Sequence, residues 1–279
     1  MRTWYRVRSY RASLYHTLFA FFFVVVFLGS LVNTWTRNKS NLTVVEHCGF
    51  RSFFESHSKG LGIHKWLHYF QVYEREFGRY CGLQGLKVRM LEIGVQSGGS
   101  IQMWLSRFGN NLELFAGVDV NPMTRNWTLL DERVHIEVGS QSDEALLNRL
   151  HAKYPDGFDI ILDDGSHLAR DMIATFEYAF ANLLRPGGVY VTEDITQENS
   201  AFLSFVLNEY KHQQDALSLL EGLNNHAGQT PCCDFDTNGI QQDVEYIALN
   251  PMLFAIRKRL TTVLSLQAPR HGSEWIAYA

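Results

Sequence analysis

The sequence predicts an α/β fold with a doubly wound parallel sheet. Apolar runs of strand length alternate with stretches of helical spacing between Met90 and Asp194, and glycine or acidic residues follow the runs. In such sheets the loops at the carboxyl ends of the strands form the ligand crevice. We therefore expect these glycines and acids to share one site.

The first predicted strand, residues 88–93, ends in a turn that contains Gly94, Gly98 and Gly99. Residues 101–105 then have helical spacing, and the N-terminus of such a helix presents free N–H groups. The turn lacks the G-x-G-x-x-G order of dinucleotide-binding folds, which argues against a dehydrogenase. The next predicted strand, residues 112–118, precedes Asp119, whose carboxylate can accept hydrogen bonds from ribose hydroxyls. A nucleoside-bearing ligand is predicted, although glycines at this place can also serve packing alone.

Further strands are predicted at residues 134–138, 158–162 and 189–192, with a helix at 171–184 and a turn at 185–188 before the last of them. Residues 64–80 and 200–220 have helical patterns, the first of them amphipathic. Residues 244–249 and 252–256 are expected to form a hairpin. The Gly-, Asn- and Asp-rich stretch 224–242 is expected to be a lid over the acceptor or, alternatively, a mobile surface loop.

Two acidic clusters follow predicted strands. Asp163 and Asp164 precede His167, and Glu193 is followed by Asp194. Carboxylates without a nearby cysteine favour a hard, oxygen-seeking ion such as Mg²⁺. A histidine suits proton removal from a ligand near neutral pH. Taken singly, these residues are equally compatible with helix caps, turn acids and a surface histidine.

Four segments together, residues 91–100, 139–143, 163–167 and 193–194, resemble the class I S-adenosylmethionine-dependent methyltransferases. More narrowly, they are similar to metal-dependent sugar O-methyltransferases of macrolide biosynthesis and to cephalosporin-hydroxylase-like proteins. The resemblance implies a Rossmann-like methyltransferase sheet. The residues expected to hold S-adenosylmethionine are Glu92, Gly94, Ser97, Gly98, Asp119 and Gln141. The implied ligands of Mg²⁺, with Mn²⁺ as an alternative ion, are Asp164, Glu193 and Asp194, and His167 is the implied general base.

The N-terminal region predicts a membrane anchor. Arginines at positions 2, 6, 8 and 11 precede an uncharged, largely apolar stretch at residues 14–32, which is about the length of a membrane-spanning helix. We expect a cytosolic tail at residues 1–13, a transmembrane signal anchor at 14–32, a stem at 33–52 and a methyltransferase domain at 53–279. This organisation predicts a single-pass type II protein of the Golgi or ER membrane with a lumenal catalytic domain. A cleavable signal peptide is the alternative.

Glycosylation triplets and cysteines agree with a lumenal domain. The triplets begin at Asn38, Asn41 and Asn126. The cysteines, at positions 48, 81, 232 and 233, all follow the predicted span, where disulfides can form. Their pairing is left open, although Cys232 and Cys233 are adjacent and are not expected to bridge each other.

The composition argues against a nucleic-acid partner, because the net charge is −4 and no basic stripe or zinc motif occurs. The predicted function is O-methylation of a carbohydrate acceptor by an enzyme that is attached to a membrane through its N-terminal helix. Assembly into a homo-oligomer is compatible with the sequence. Two alternatives are methylation of a phenolic or other small-molecule hydroxyl, and a tethered scaffold that binds the cofactor without turnover.

Overall fold

Alternating strands and helices make up the folded domain. The computed structural model describes residues 48–82, 85–212, 234–236, 240–262 and 265–267. The helices are α1 Phe50–Ser56, α2 Tyr69–Phe77, α3 Gly99–Phe108, α4 Glu144–Lys153, α5 Ala169–Asn182, α6 Ser200–His212 and α7 Ile240–Asp243. The strands are β1 Val88–Ile93, β2 Leu112–Asp119, β3 Val134–Val138, β4 Phe158–Asp163, β5 Leu184–Thr192, β6 Asp234–Asp236, β7 Val244–Asn250, β8 Leu253–Lys258 and β9 Ser265–Gln267. Short 3₁₀ segments are Gly78–Tyr80, Gly109–Asn111 and Pro122–Leu129.

The main sheet has, in the described part of the chain, the strand order β3-β2-β1-β4-β5-β8-β7. Strands β1 to β5 are parallel, and β8 and β7 add an antiparallel edge. The strand order therefore reverses direction between β1 and β4, where the loops after parallel strands diverge and leave a crevice. The predicted doubly wound α/β fold and the predicted hairpin are confirmed.

Helices cover both faces of the sheet. On one face Phe50 of α1 packs edge to face against Tyr73 of α2 and Trp104 of α3. On the other face Phe176 of α5 packs edge to face against Tyr190 of β5. Successive residues of a strand face opposite sides of the sheet. Because helices cover both sides, the central strands are apolar on both faces. Polar side chains are consequently concentrated at the ends of these strands.

The segment between α1 and α2, residues 57–68, departs from the prediction. The pattern predicted one helix over residues 64–80, but α2 begins at Tyr69. The carbonyl oxygen of Gly62 accepts a hydrogen bond from the Gly99 N–H at 3.0 Å, and the side chains of Lys65 and Trp66 bind acids at the carboxyl edge of the sheet. These tertiary contacts override the local helical preference.

The predicted turn at residues 185–188 is a bulge within β5. Phe158 pairs with Leu184 and Ile160 pairs with Val189, so residues 185–188 loop out of the ladder. Gly187 has a φ of 75°, which glycine adopts without strain. Helix α6 is described as far as His212, and the remainder of the predicted helix at 200–220 and most of the predicted lid at 224–242 lie outside the described residues.

A disulfide joins Cys48 to Cys81 and ties the residues before α1 to those after α2. Cys48 and Phe50 are buried in the core, so the folded domain includes residues 48–52, which were expected in the stem. Cys232 and Cys233 lie outside the described residues, as do residues 1–47 with the predicted tail and span. Among the residues that the structure describes, no helix is both long and apolar enough to cross a membrane.

Candidate active site

A cleft of about 350 Å³ opens at the carboxyl ends of the parallel strands. Its volume lies in the range of small-molecule sites. The predicted site residues that line it are Gly94, Asp119, Gln141, Asp164, His167 and Asp194. His64 and Gln96, which the sequence did not single out, also line it.

Gly94 allows the loops after β1 and β4 to approach each other. The Gly94 N–H donates to the Val118 carbonyl at 2.8 Å, and the Asp164 N–H donates to the Ile93 carbonyl at 2.9 Å. Gly94 has a φ of 86°, and a Cβ atom at this position would lie 1.9 Å from the carbonyl oxygen of Asp164. Only glycine therefore fits here, and the backbone remains open to the cleft.

Asp119 lies at the end of β2 with its carboxylate on the cleft. One oxygen, Oδ2, accepts a hydrogen bond from the Gln96 N–H at 2.8 Å, and Oδ1 accepts one from the Asn121 N–H at 2.8 Å. The indole N–H of Trp127 donates to the Gln96 carbonyl at 3.0 Å and holds the same turn from its other side. A carboxylate has about four lone-pair sites, so Asp119 can still accept hydroxyl groups of a ligand.

Gln141 connects the loops after β3 and β4. Its amide nitrogen donates to the Asp163 carboxylate at 3.0 Å and to Thr175 Oγ1 at 3.1 Å, and its oxygen accepts from the Ser166 N–H at 2.6 Å. All polar atoms of the Gln141 side chain thus have protein partners. These hydrogen bonds fix the loop that carries Asp164 and His167. Contact between Gln141 and the cofactor stays a prediction.

Three further residues expected at the cofactor lie outside the lining of this cleft. Ser97 and Gly98 belong to the turn that starts α3, where Gly98 has a φ of 83°. Glu92 is fully buried behind the cleft. Its Oε2 accepts hydrogen bonds from Ser100 Oγ at 3.0 Å and from Trp104 Nε1 at 3.1 Å, and burial raises the pKa of Glu92 to about 7.

Asp164, His167 and Asp194 come together in the lining of the cleft. His167 Nε2 is 3.7 Å from Asp164 Oδ1 and 3.6 Å from Asp194 Oδ2. One possible ligand atom from each residue lies within 4.8 Å of the others, an arrangement that can hold a divalent ion. Asp194 is fixed by Trp66 Nε1 and by the Tyr69 hydroxyl, which donate to Oδ1 at 3.0 and 2.8 Å.

Glu193, the remaining predicted metal ligand, contacts Lys65, which also contacts Asp164. Lys65 Nζ is 2.9 Å from Glu193 Oε2, 2.6 Å from Asp164 Oδ2 and 4.0 Å from Glu92 Oε1. The second oxygen of Glu193 accepts a hydrogen bond from the Tyr73 hydroxyl. The side chains of Lys65 and Glu193 are only 3% and 1% exposed, so this ion pair is sealed beneath the cleft.

Burial and neighbouring charges shift the pKa values of these groups in opposite directions. Burial raises the pKa of Glu193 to about 8, although Lys65 lowers it. Burial alone would lower the pKa of Lys65, but the carboxylates around it, Glu193 first, raise that pKa well above its usual value. Burial also raises the pKa of Asp163 to about 7, against the hydrogen bonds from Tyr190 and Gln141. The ammonium of Lys65 therefore stays charged and stabilises a dense group of acids.

Residues 91–195 match a protein-family model described as a methyltransferase domain. The chain is 36% identical over 141 residues to demethylmacrocin O-methyltransferase of Streptomyces fradiae. It is 37% identical over 137 residues to 8-demethyl-8-(2-methoxy-alpha-L-rhamnosyl)-tetracenomycin-C 3'-O-methyltransferase of Streptomyces olivaceus. The chain is related to these O-methyltransferases. Each alignment covers 47% of this chain and 33% of the relative, so the chain spans about a third of the length of these curated relatives.

Comparison with solved structures supports the same fold. The MycE methyltransferase from the mycinamycin biosynthetic pathway, solved in complex with Mg and SAH, superimposes with a TM-score of 0.52 and 24% sequence identity. The match covers 77% of this chain and 54% of that chain. At this level of identity the likeness concerns the fold, and it confirms the Rossmann-like methyltransferase sheet that the sequence predicts.

Proposed function

We propose that this protein is an S-adenosylmethionine-dependent, divalent-metal-dependent O-methyltransferase that acts on a sugar hydroxyl. The observation that carries the proposal is the composition of one cleft. Gly94 and Asp119 line it together with Asp164, His167 and Asp194. A methyl donor and an acceptor hydroxyl bound in this one cleft would be neighbours, as transfer between them requires.

The residues that line the cleft fit both S-adenosylmethionine and a divalent metal ion. The open backbone at Gly94 and the carboxylate of Asp119 suit the nucleoside part of S-adenosylmethionine. Asp164 and Asp194 offer hard oxygen ligands for Mg²⁺ or Mn²⁺, and His167 lies beside both. Glu193, the third ligand expected from the sequence, contacts Lys65, as Asp164 also does, and stays a proposed ligand. The MycE structure that shares this fold contains Mg and SAH, which supports both assignments.

His167 is the proposed base of the reaction. When bound, S-adenosylmethionine supplies the methyl group and a divalent ion lowers the pKa of the sugar hydroxyl. The distances of 3.7 and 3.6 Å from His167 Nε2 to Asp164 and Asp194 are too long for hydrogen bonds, so this nitrogen is open to a proton from the acceptor. The two carboxylates would then stabilise the imidazolium that forms.

A sugar is the proposed acceptor for two reasons. The Streptomyces olivaceus relative is named for a rhamnosyl compound. In this chain, Trp66 is 48% exposed while its N–H is held by Asp194, so an exposed aromatic side chain lies next to the acid group. The C–H groups of a sugar ring pack well on such a face, whereas its hydroxyls reach the acids beside it.

Transfer of a labelled methyl group from S-adenosylmethionine to a panel of glycosides and catechols tests the proposal. We expect labelled glycosides, loss of transfer in excess chelator and recovery with Mg²⁺ or Mn²⁺. His167→Asn should lower turnover by roughly a hundredfold or more, because a general base commonly contributes that much. Preference for catechols would favour the phenolic alternative, and cofactor binding without transfer to any acceptor would favour the scaffold.

We also propose a lumenal location for the domain, anchored through residues 14–32. The Cys48–Cys81 disulfide supports an oxidising compartment, and Asn126 of the third glycosylation triplet is exposed. In intact microsomes the domain should resist added protease, and an endoglycosidase should increase its mobility in gels. Digestion without detergent, together with unchanged mobility, would place the domain in the cytosol.

A further inference from the structure

We propose that Trp127 is a positioning residue for the cofactor, which keeps the turn after β1 in its binding conformation without lining the cleft itself. The inference rests on S-adenosylmethionine binding in the proposed function. It assigns a role to the 3₁₀ segment Pro122–Leu129, no residue of which lines the cleft.

The turn after β1 contains a strained residue, Gln96. Its φ angle is 40°, in the left-handed region that residues other than glycine rarely occupy. Gln96 lines the cleft, so its conformation shapes the wall that a ligand meets. Such a conformation persists only where the surrounding structure holds it in place.

Both backbone polar groups of Gln96 have side-chain partners. Its N–H donates to Asp119 Oδ2 at 2.8 Å, and its carbonyl oxygen accepts from Trp127 Nε1 at 3.0 Å. Asp119 Oδ1 accepts from the Asn121 N–H at 2.8 Å, and the Asn121 side chain caps the 3₁₀ segment by accepting from the Met123 N–H at 3.0 Å. The 3₁₀ segment that carries Trp127 is thus joined to both sides of the Gln96 backbone.

The Trp127 side chain also supports the turn by packing. A Cβ atom at Gly98 would lie 3.1 Å from two ring atoms of Trp127 and 2.9 Å from Leu61 Cδ1, so both side chains pack against the turn. Trp127 contacts the hydrophobic core as well, and Thr124, one 3₁₀ turn earlier, is only 1% exposed. Because this face of the segment is fixed on the core, Trp127 can hold Gln96 in place.

The expected consequence is a dependence of cofactor affinity on a residue that does not touch the cofactor. A ligand that binds only one conformation of the turn loses apparent affinity when that conformation is less populated. Without the indole N–H, the Gln96 carbonyl loses its partner and the residue can leave the left-handed region. The same loss should matter less with glycine at position 96, because glycine adopts positive φ angles without strain.

Titration calorimetry of S-adenosylhomocysteine binding to the full chain tests the inference. Trp127→Phe keeps an aromatic ring but removes the N–H donor, and it should weaken binding about tenfold. In a Gln96→Gly background the same change should weaken binding less than about threefold, since the two positions are coupled. Equal losses in the two backgrounds, or a Trp127→Phe protein that binds like the parent, overturn the inference.

Tyr178→Phe is the matched control. It removes the hydrogen bond from the Tyr178 hydroxyl to Asn148 Oδ1, and neither residue lines the cleft. S-adenosylhomocysteine affinity should stay within about twofold of the parent, because surface changes away from the site have small effects. A tenfold loss in this control would show that cofactor affinity follows any lost hydrogen bond, which overturns the specific role of Trp127.

Kinetics separate positioning from a general loss of structure. Trp127→Phe should raise the KM for S-adenosylmethionine about tenfold and leave kcat within about twofold, because saturating cofactor restores the binding conformation. Without ligand, the Trp127→Phe and Gln96→Gly/Trp127→Phe variants should melt within about 5 °C of the parent. A fall in kcat at unchanged KM, or a collapse of the melting temperature that glycine at position 96 does not relieve, overturns the inference.

The outcomes separate this inference from the proposed function. A parent protein that binds no S-adenosylhomocysteine overturns both. Binding with the expected variant pattern, but without methyl transfer to any acceptor, overturns the proposed function and supports the role of Trp127. Methyl transfer by the parent, together with unchanged cofactor affinity in Trp127→Phe, overturns this inference alone.

Discussion

Replacing Glu92 with glutamine should stabilise the folded domain at pH 8. Burial raises the pKa of Glu92 from its ordinary value of 4.5 to about 7, so the folded state binds this proton more tightly than the unfolded state. Stability from this group is therefore present below pH 4.5 and is lost as the pH rises toward 7. The difference in pKa corresponds to a loss of about 3 kcal/mol in unfolding free energy above pH 7 and of only about 1 kcal/mol at pH 5.

Glutamine does not titrate, and its carbonyl oxygen can accept the hydrogen bonds from Ser100 and Trp104 that Glu92 accepts in the parent. Urea unfolding at pH 5 and pH 8 measures the effect. The gain of Glu92→Gln over the parent should grow by about 2 kcal/mol between these values. The exposed Glu113→Gln on β2 is the matched control and should show no such growth. An equal gain at both pH values, or a loss at pH 8, would refute the assignment of Glu92 as a buried carboxyl group whose ionisation destabilises the folded state.

Other positions give equally direct tests. Gly94→Ala should cost at least about 3 kcal/mol in unfolding free energy and abolish cofactor binding, because the added Cβ meets the Asp164 carbonyl; a stable variant with normal affinity would contradict this. By calorimetry Asp119→Ala should weaken S-adenosylmethionine binding roughly 10- to 100-fold while Asp164→Asn changes it little, and equal losses would show that the proposed cofactor and metal residues do not act separately. Cys81→Ser should lower stability by about 2–4 kcal/mol through loss of the bond to Cys48, and a reductant should destabilise the parent equally but leave the variant unchanged.

Patterns that are local in the sequence predicted most of the fold. The five parallel strands β1 to β5 follow from short apolar runs, and their carboxyl ends follow from the glycine or acid that ends each run. The position of Asp119 and Asp164 on the cleft needed nothing more than strand polarity. The orientation of Glu92 toward α3 was also accessible, because alternation along β1 places it on the same face as Met90.

The contacts of Lys65 with distant acids could not be predicted from the sequence. It lies in an irregular segment whose path depends on contacts with Gly99, Asp194 and other distant residues. The amphipathic pattern over residues 64–80 pointed to a helix instead, since neither spacing nor composition reports a hydrogen bond between residues 128 positions apart such as that between Lys65 and Glu193. The disulfide was left open for the same reason, because pairing is a property of the folded backbone.

The backbone conformation at His167 and Asp194 limits the substitutions that these two positions tolerate. Both residues have positive φ angles, 55° and 54°, in a conformation that asparagine, aspartate, histidine and glycine enter most readily. A branched side chain at either position would strain the loop, whereas glycine would relieve it. Substitutions at these two positions are therefore restricted to a few residue types. An inactive descendant with glycine at position 194 would lose the proposed metal ligand while gaining conformational stability.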